Sequence, residues 1–318
     1  METRRVLQVD AFTDEPLSGN PAGVVPDADG LSDDQMQAIA RELALSETAF
    51  IRSSEAADRR IRYFTPTQEV DLCGHATIGS FAHLYDDGVV AAGNSTLETN
   101  VGVLEIELED DGTVWMTQDR PTIREVDLAY DRVADALGVE QAALEGVGID
   151  LPLAVSSTGL PFLMVPITYL SDVGNATPDM AAVEALSESV DAVGVYLFTF
   201  DALEADSTLH GRAFVPAAGV PEDPVTGTAS GAVGAYLDRF GAFAESGAAH
   251  QGDSAQIGAG GDGSFPDELR LEQGHYVDRP GTVFVRVGDD VRVGGHGVTA
   301  LDGTLVVPAD DEDDILEA

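Results

Sequence analysis

The chain has 318 residues, a formal net charge of −41 and a hydrophobic fraction of 44%. Its 16 basic residues are all arginine, set against 57 acidic ones. That balance argues against nucleic-acid binding, and the lack of lysine excludes a Walker-type phosphate loop and a Schiff-base amine. The single cysteine excludes an internal disulfide framework. Acidic runs such as Glu109-Asp110-Asp111 and Asp289-Asp290 fall in predicted turns. They predict a solvated acidic coat suited to the salt-rich cytoplasm of a halophile. Met1–Arg5 leads straight into a strand, so no signal peptide is expected, and no apolar run approaches the ~20 residues of a membrane span.

In chain order, strand-like runs occupy Val6–Phe12 and Ala22–Val25, followed by a helix opened by Ser32 as N-cap with Gln35 as its capping-box partner. Strands follow at Ala49–Arg52 and Ile61–Phe64, then a glycine-centred stretch, Asp71-Leu72-Cys73-Gly74-His75-Ala76-Thr77-Ile78-Gly79-Ser80, that turns into a helix of small and apolar residues. Such a helix suits deep burial. A strand over Val101–Leu108 precedes a connecting helix within 126–150, with Val133, Leu137 and Leu144 apolar. Beyond it come a strand at Phe162–Ile167 and a helix opening at Thr177-Pro178-Asp179. A second glycine-centred stretch, Pro224-Val225-Thr226-Gly227-Thr228-Ala229-Ser230-Gly231, then enters another small-residue helix, and a strand follows at Thr282–Val287. The acidic tail 306–318 is expected to stay disordered. Strands interrupted by short helices predict an α+β fold rather than a doubly wound sheet.

Several stretches occur twice in the same order. Gly19–Val25 resembles Gly159–Val165, Arg62–Pro66 resembles Arg212–Pro216, and Leu97-Glu98-Thr99 resembles Leu271-Glu272-Gln273. With the two glycine-centred stretches they predict two similar halves, 1–125 and 151–305. The first turn of each small-residue helix offers backbone N–H groups to an anionic substrate group.

Glu47, in Leu45-Ser46-Glu47-Thr48-Ala49, falls by strand alternation on the same side as Leu45, Ala49 and Ile51. A carboxylate there is desolvated and suited to proton transfer; the alternative is an edge glutamate reaching solvent. His75 is either an acid or hydrogen-bond donor toward substrate, or a cap at a helix start. Cys73 is either a helix-start thiolate or a small buried residue. Asp223 before Pro224 is either a site carboxylate or an ordinary N-cap, and Thr228 mirrors His75. Gly258–Gly263 matches the dinucleotide spacing, but Ser264-Phe265-Pro266 follows in place of a helix, so it reads as a loop. No metal-ligand spacing is present, and no metal or cofactor is expected.

Asp10-Ala11-Phe12-Thr13, Gly19–Val24, Ser46–Phe50, Phe64-Thr65-Pro66, Glu69–Thr77 and Glu222–Ala229 together resemble the PhzF family of phenazine-biosynthesis-like isomerases, in the diaminopimelate epimerase-like superfamily. The resemblance implies two halves of one fold, each a barrel-like, mostly antiparallel sheet around a central helix, with the active site between the halves. It implies a cofactor-independent isomerase acting on a small carboxylate-bearing metabolite, and a homodimer; the alternatives are an amino-acid racemase or epimerase assisted by Cys73 and a non-catalytic small-molecule-binding homologue. Glu47, His75 and Asp223 match the catalytic positions, with Glu47 carrying the proton; Asn20, Gly74, Gly227 and Thr228 match substrate-binding positions. Thr228 replaces the family's usual serine. The two-cysteine racemase pattern is broken, because Thr226 stands where a second cysteine would be.

Overall fold

The computed structural model describes residues 2–148, 150–244 and 264–307. The chain forms two compact units: Met1–Met116 with Gly295–Ala318, and Thr117–Gly294. The glycine run at 258–263, the far end of the acidic tail and Ile149 lie outside the described residues.

The first unit contains β1 (Glu2–Ala11), β2 (Asn20–Val25), α1 (Asp33–Leu43), β3 (Thr48–Arg52), β4 (Arg59–Phe64), β5 (Glu69–Val70), α2 (Gly74–Asp86), β6 (Gly93–Thr99), β7 (Gly102–Leu108) and β8 (Val114–Thr117). β1 and β2 are antiparallel, β2 and β3 parallel, and β3 and β4 antiparallel. β4 and β6 are parallel, while β6, β7 and β8 form an antiparallel meander. On its other side β1 pairs with the strand Gly297–Val307, from Glu2 opposite Val307 to Ala11 opposite Gly297. α1 starts as the sequence predicts, since Ser32 and Gln35 form both halves of the capping box.

α2 runs through the centre of this unit, with Ala76 to Leu84 buried without a break. Small residues allow that. A Cβ on Gly79 would come 3.3 Å from Val9, and one on Gly297 would come 2.9 Å from Ala82. The helix's hydroxyls satisfy themselves internally: Thr77 Oγ1 donates to the Cys73 carbonyl at 2.7 Å and Ser80 Oγ to that of Ala76 at 2.6 Å.

The second unit contains β9 (Thr122–Glu125), α3 (Tyr130–Leu137), α4 (Gln141–Glu145), β10 (Ala154–Ser157), β11 (Pro161–Pro166), α5 (Leu170–Asn175), α6 (Met180–Glu188), β12 (Gly194–Thr199), β13 (Leu209–Val215), β14 (Val220–Asp223), α7 (Gly227–Arg239), β15 (Leu269–Gln273), β16 (Gly281–Val287) and β17 (Val291–Gly295). The strand Gly297–Val307 of the first unit is β18. Here β10 and β11 are antiparallel, β11 and β12 parallel, β12 and β13 antiparallel, and β13 and β15 parallel, with β16 and β17 completing the meander. β9 pairs with β10 as β18 pairs with β1. α7 is buried from Ala229 to Leu237, again through glycines: a Cβ on Gly231 would lie 2.9 Å from Val293, and one on Gly234 would lie 2.7 Å from Val285.

The connecting segment forms two short helices, not one. Gly138 ends α3 in the left-handed region at φ 63°, where a Cβ would come within 2.4 Å of the Thr177 carbonyl. Val133, Leu137 and Leu144 nonetheless pack as the sequence predicts, joining Val183, Leu186, Leu163 and Phe214 in one core cluster. α6 begins two residues later than predicted. Asp179 is its N-cap, accepting from the Ala181 and Ala182 amides, and the short α5 precedes it. Among the described residues no helix is long and apolar enough to cross a membrane.

Candidate active site

In the first unit the site begins where α1 ends. Ala44 adopts the left-handed conformation at φ 53° and reverses the chain. The Glu47 carbonyl then accepts from the Gly23 amide at 2.9 Å, which extends the β2–β3 pairing by one residue and holds the Glu47 backbone. Glycine is required at 23, because a Cβ there would come 2.6 Å from the buried Thr48 hydroxyl. Glu47 thus precedes β3 rather than lying within it, and its side chain is 24% exposed. That corrects the expectation of a carboxylate sealed on an apolar strand face: the regular strand, and with it the alternation, begins only at Thr48.

Cys73 is the N-cap of α2, and His75 is the second helical residue. His75 Nε2 lies 3.5 Å from Glu47 Oε2, with the imidazole 13% exposed. The same nitrogen is 3.5 Å from Ser46 Oγ, and His75 Nδ1 is 3.5 Å from Cys73 Sγ. The imidazole therefore bridges thiol and carboxylate at the long limit of hydrogen bonding. One donor atom from each of Glu47, Cys73 and His75 lies within 4.8 Å of the others. A search by sequence spacing misses this trio because the residues come from two separate elements. Gly74 opens α2, and a Cβ there would meet nothing within 4 Å. Asn20, the first residue of β2, is buried opposite Ala11.

In the second unit Asp223 closes β14 and is not a helix cap; the N-cap of α7 is Thr226, and Gly227 is the first helical residue. The Thr226 hydroxyl instead donates to Asp223 Oδ2 at 2.5 Å. Gln273 at the end of β15 ties this turn together. Its amide donates to the Asp223 carbonyl at 2.7 Å and to Thr226 Oγ1 at 3.1 Å, while its Oε1 accepts from the Thr226 amide at 3.2 Å. Sequence reasoning passed over Gln273. Its place after Leu271-Glu272 in a duplicated stretch was the available signal. Thr228, partly buried, has its carbonyl held by Thr158 Oγ1 at 3.2 Å.

A similar clamp sets up each helix start. Arg62 binds Glu69 with two bonds of 2.7 Å across the β4–β5 hairpin. Arg212 binds Glu222 at 2.8 and 2.7 Å across β13–β14. Each guanidinium also stacks on an aromatic ring two residues on, 5.2 Å from Phe64 and 4.9 Å from Phe214. The forked geometry fixes both oxygens of each glutamate. Neither Cys73 nor Thr226 caps its helix with its own side chain, and the first turn of a helix is where backbone N–H groups can meet an anion.

Residues 9–303 match the family model PhzC-PhzF, phenazine biosynthesis-like protein. The chain is 36% identical over 96% of its length to an uncharacterized isomerase, YfhB, of Bacillus subtilis, covering 97% of that protein. A crystal structure of the Bacillus anthracis phenazine biosynthesis protein of the PhzF family superimposes with a TM-score of 0.82 at 32% identity, over 96% of this chain and 100% of that one. A hydroxyproline epimerase from Agrobacterium vitis shares the fold alone, with a TM-score of 0.53 at 12% identity, over 98% of this chain and 93% of that one.

Proposed function

Because this chain belongs to the phenazine biosynthesis-like (PhzC-PhzF) family and is an isomerase of it, we propose that it moves a proton between carbons of a small carboxylate-bearing metabolite without a cofactor. Glu47 takes the proton from carbon and returns it at the same or a nearby carbon. His75 steers its charge and protonation state. The observation that carries this reading is the 3.5 Å approach of the Glu47 carboxylate to the His75 imidazole at the start of a buried helix. A partly buried carboxylate beside an imidazole can accept and give back a proton within one encounter.

Asp223 assists protonation, and Asn20, Gly74, Gly227 and Thr228 bind substrate. The uncapped first turns of α2 and α7 support this assignment, since their N–H groups suit a substrate carboxylate and the negative charge developing beside it. The matching succession of strand pairings in the two units supports a duplication of one ancestral unit.

The test is solvent-deuterium incorporation, followed by NMR in high-salt buffer with a panel of carboxylate metabolites. Glu47→Gln should slow exchange about 100- to 10,000-fold, the usual weight of a general acid–base group, with the fold intact by circular dichroism. Unchanged exchange in that variant sinks the assignment. The 3.5 Å contact between Cys73 Sγ and His75 Nδ1 supports a second reading, with the thiol as base. In that case Cys73→Ala, not Glu47→Gln, removes exchange.

A further inference from the structure

Asp223 is served by two neighbours to which the proton-transfer reading gives no part. Thr226 Oγ1 lies 2.5 Å from Asp223 Oδ2, and the buried side chain of Gln273 spans the turn between them. The bonds of Gln273 fix which way its amide points. One end meets the Asp223 carbonyl at 2.7 Å, which can only accept, and the other meets the Thr226 amide at 3.2 Å, which can only donate. Nitrogen must face the carbonyl and oxygen the amide, since a flipped side chain would set acceptor on acceptor and donor on donor.

The same nitrogen stands 3.1 Å from Thr226 Oγ1. A side-chain amide nitrogen donates and does not accept, so the hydroxyl takes that bond on a lone pair. Its single hydrogen is left for Asp223 Oδ2. The hydrogen bonds therefore run in one direction, from Gln273 through Thr226 to Asp223. A threonine at an N-cap ordinarily accepts from the first amides of its own helix. Thr226 makes no such bond and turns its hydroxyl to the carboxylate instead.

The first unit shows that this kind of helix start folds without the arrangement. Glu69 and Glu222 are counterparts, each held by its arginine. Counting from them, Val70 stands where Asp223 does and Cys73 where Thr226 does, while Thr99 takes the place of Gln273. Thr99 Oγ1 donates to the Gly102 carbonyl at 3.0 Å within its own hairpin, and α2 still begins at Gly74. The bracing amide and the hydroxyl occur in the unit that carries the carboxylate.

We propose that Thr226 and Gln273 are positioning residues that orient Asp223 and hold it in its carboxylate form. A hydrogen bond donated to the charged form of an acid favours that form. The role rests on the reading of Asp223 as a site carboxylate, but its test uses no substrate. Other ionisable groups on the surrounding elements stay the same in every variant. They are Arg212 with Glu222 across β13–β14, His210 with Glu272 across β13–β15, and His275, Asp278 and Arg279 in the turn after β15.

The test is an NMR titration of the full chain, isotope-labelled at the aspartate carboxyl carbons, in concentrated potassium chloride. The Asp223 signal is the one missing from Asp223→Asn. Its midpoint in Thr226→Val should stand about one pH unit above that of the wild type, the effect of losing one bond to the charged form. Thr226→Ser, which keeps the hydroxyl, should return it to the wild-type value, and Gln273→Leu should move it in the same direction as Thr226→Val. An unmoved midpoint in Thr226→Val overturns the proposal. A Thr226→Ser chain that titrates like Thr226→Val overturns it too, because lost packing would then be the cause. A folded Gln273→Leu chain with the wild-type midpoint overturns the role of Gln273; should that chain fail to fold by circular dichroism, the two Thr226 variants decide. Failure of deuterium exchange with every metabolite would count against the catalytic reading of Asp223 and leave the titration to decide this one.

Discussion

Glu272 is buried beside His210, with His210 Nδ1 2.9 Å from its carboxylate. Its oxygens also accept from the Leu203 and Glu204 amides at 2.9 and 2.7 Å. Burial alone would push this carboxyl up, but the bonds from His210, the two amides and the Ser207 hydroxyl outweigh it and hold it down to about 2. A carboxylate lowered on folding binds fewer protons in the native state than in the unfolded one. Its contribution is therefore present above the ordinary glutamate range, near 4.3, and is lost as pH falls toward about 2. His275, whose ring lies 4.9 Å from that of His210, is lowered by burial. It adds a loss in the same direction as pH drops below about 6.5, where the unfolded imidazole takes up a proton first. The share of stability held by these two groups should fall from pH 7 down to pH 3, read in denaturant midpoints of the wild type against the variant. Glu272→Ala should cost about 3 kcal/mol at pH 7 and flatten the part of that fall below about pH 4.5. An unchanged acid limb in the variant would show that other groups set it.

At the scale of elements, Arg212 shows how a hairpin positions a helix start. Besides the fork on Glu222, its Nη1 donates to the Val173 and Ala176 carbonyls at 2.9 and 3.1 Å, tying α5 to β13. The guanidinium also lies 5.0 Å from the Tyr276 ring. A lysine ammonium cannot serve a two-oxygen fork, two carbonyls and two ring faces together. Arg212→Lys should lower stability by about 2 kcal/mol, read as a shift in unfolding midpoint, and should weaken substrate binding if Asp223 takes part in it. Unaltered stability would mean that the lysine finds equivalent partners. Sequence reasoning recognised the Arg62 and Arg212 stretches as counterparts, because the residues around each arginine match locally. The glutamate partners stand seven and ten residues further on, at unequal spacings that no local comparison aligns.

Across the whole molecule the dominant number is the net charge of −41. Asp110 and Asp111, and Asp289 and Asp290, are exposed in turns as their setting in the sequence suggests. Repulsion among such charges is felt over roughly 10 Å at about 0.1 M salt and over about 3 Å at 1 M. The thermal midpoint should therefore rise steadily between about 0.1 and 2 M potassium chloride, as screening relieves the compact state more than the expanded one. Calorimetry across that series checks it, and a flat response would remove the halophilic reading. At this scale too, the chain returns at its end to pair β18 with β1, so the first unit is completed by residues from both termini.

By itself the sequence determined the alternation of short strands and helices, the two glycine-centred helix entries and the capping box at Ser32, because each is written in contiguous residues whose local preferences agree. It also marked Glu47 and His75 as candidates by their settings along the chain, and the family resemblance then gave them roles. Only the tertiary structure decided that Gly138 divides the connecting helix, that Asp223 ends a strand instead of capping a helix, and that Gln273 braces the turn between them. It alone set the imidazole of His75 3.5 Å from both the Glu47 carboxylate and the Cys73 sulfur. The physical reason is that a lone pair acts on whatever atom packing brings within reach. Which atom that is depends on the course of α1, β3 and α2 through space, not on the interval between residues along the chain.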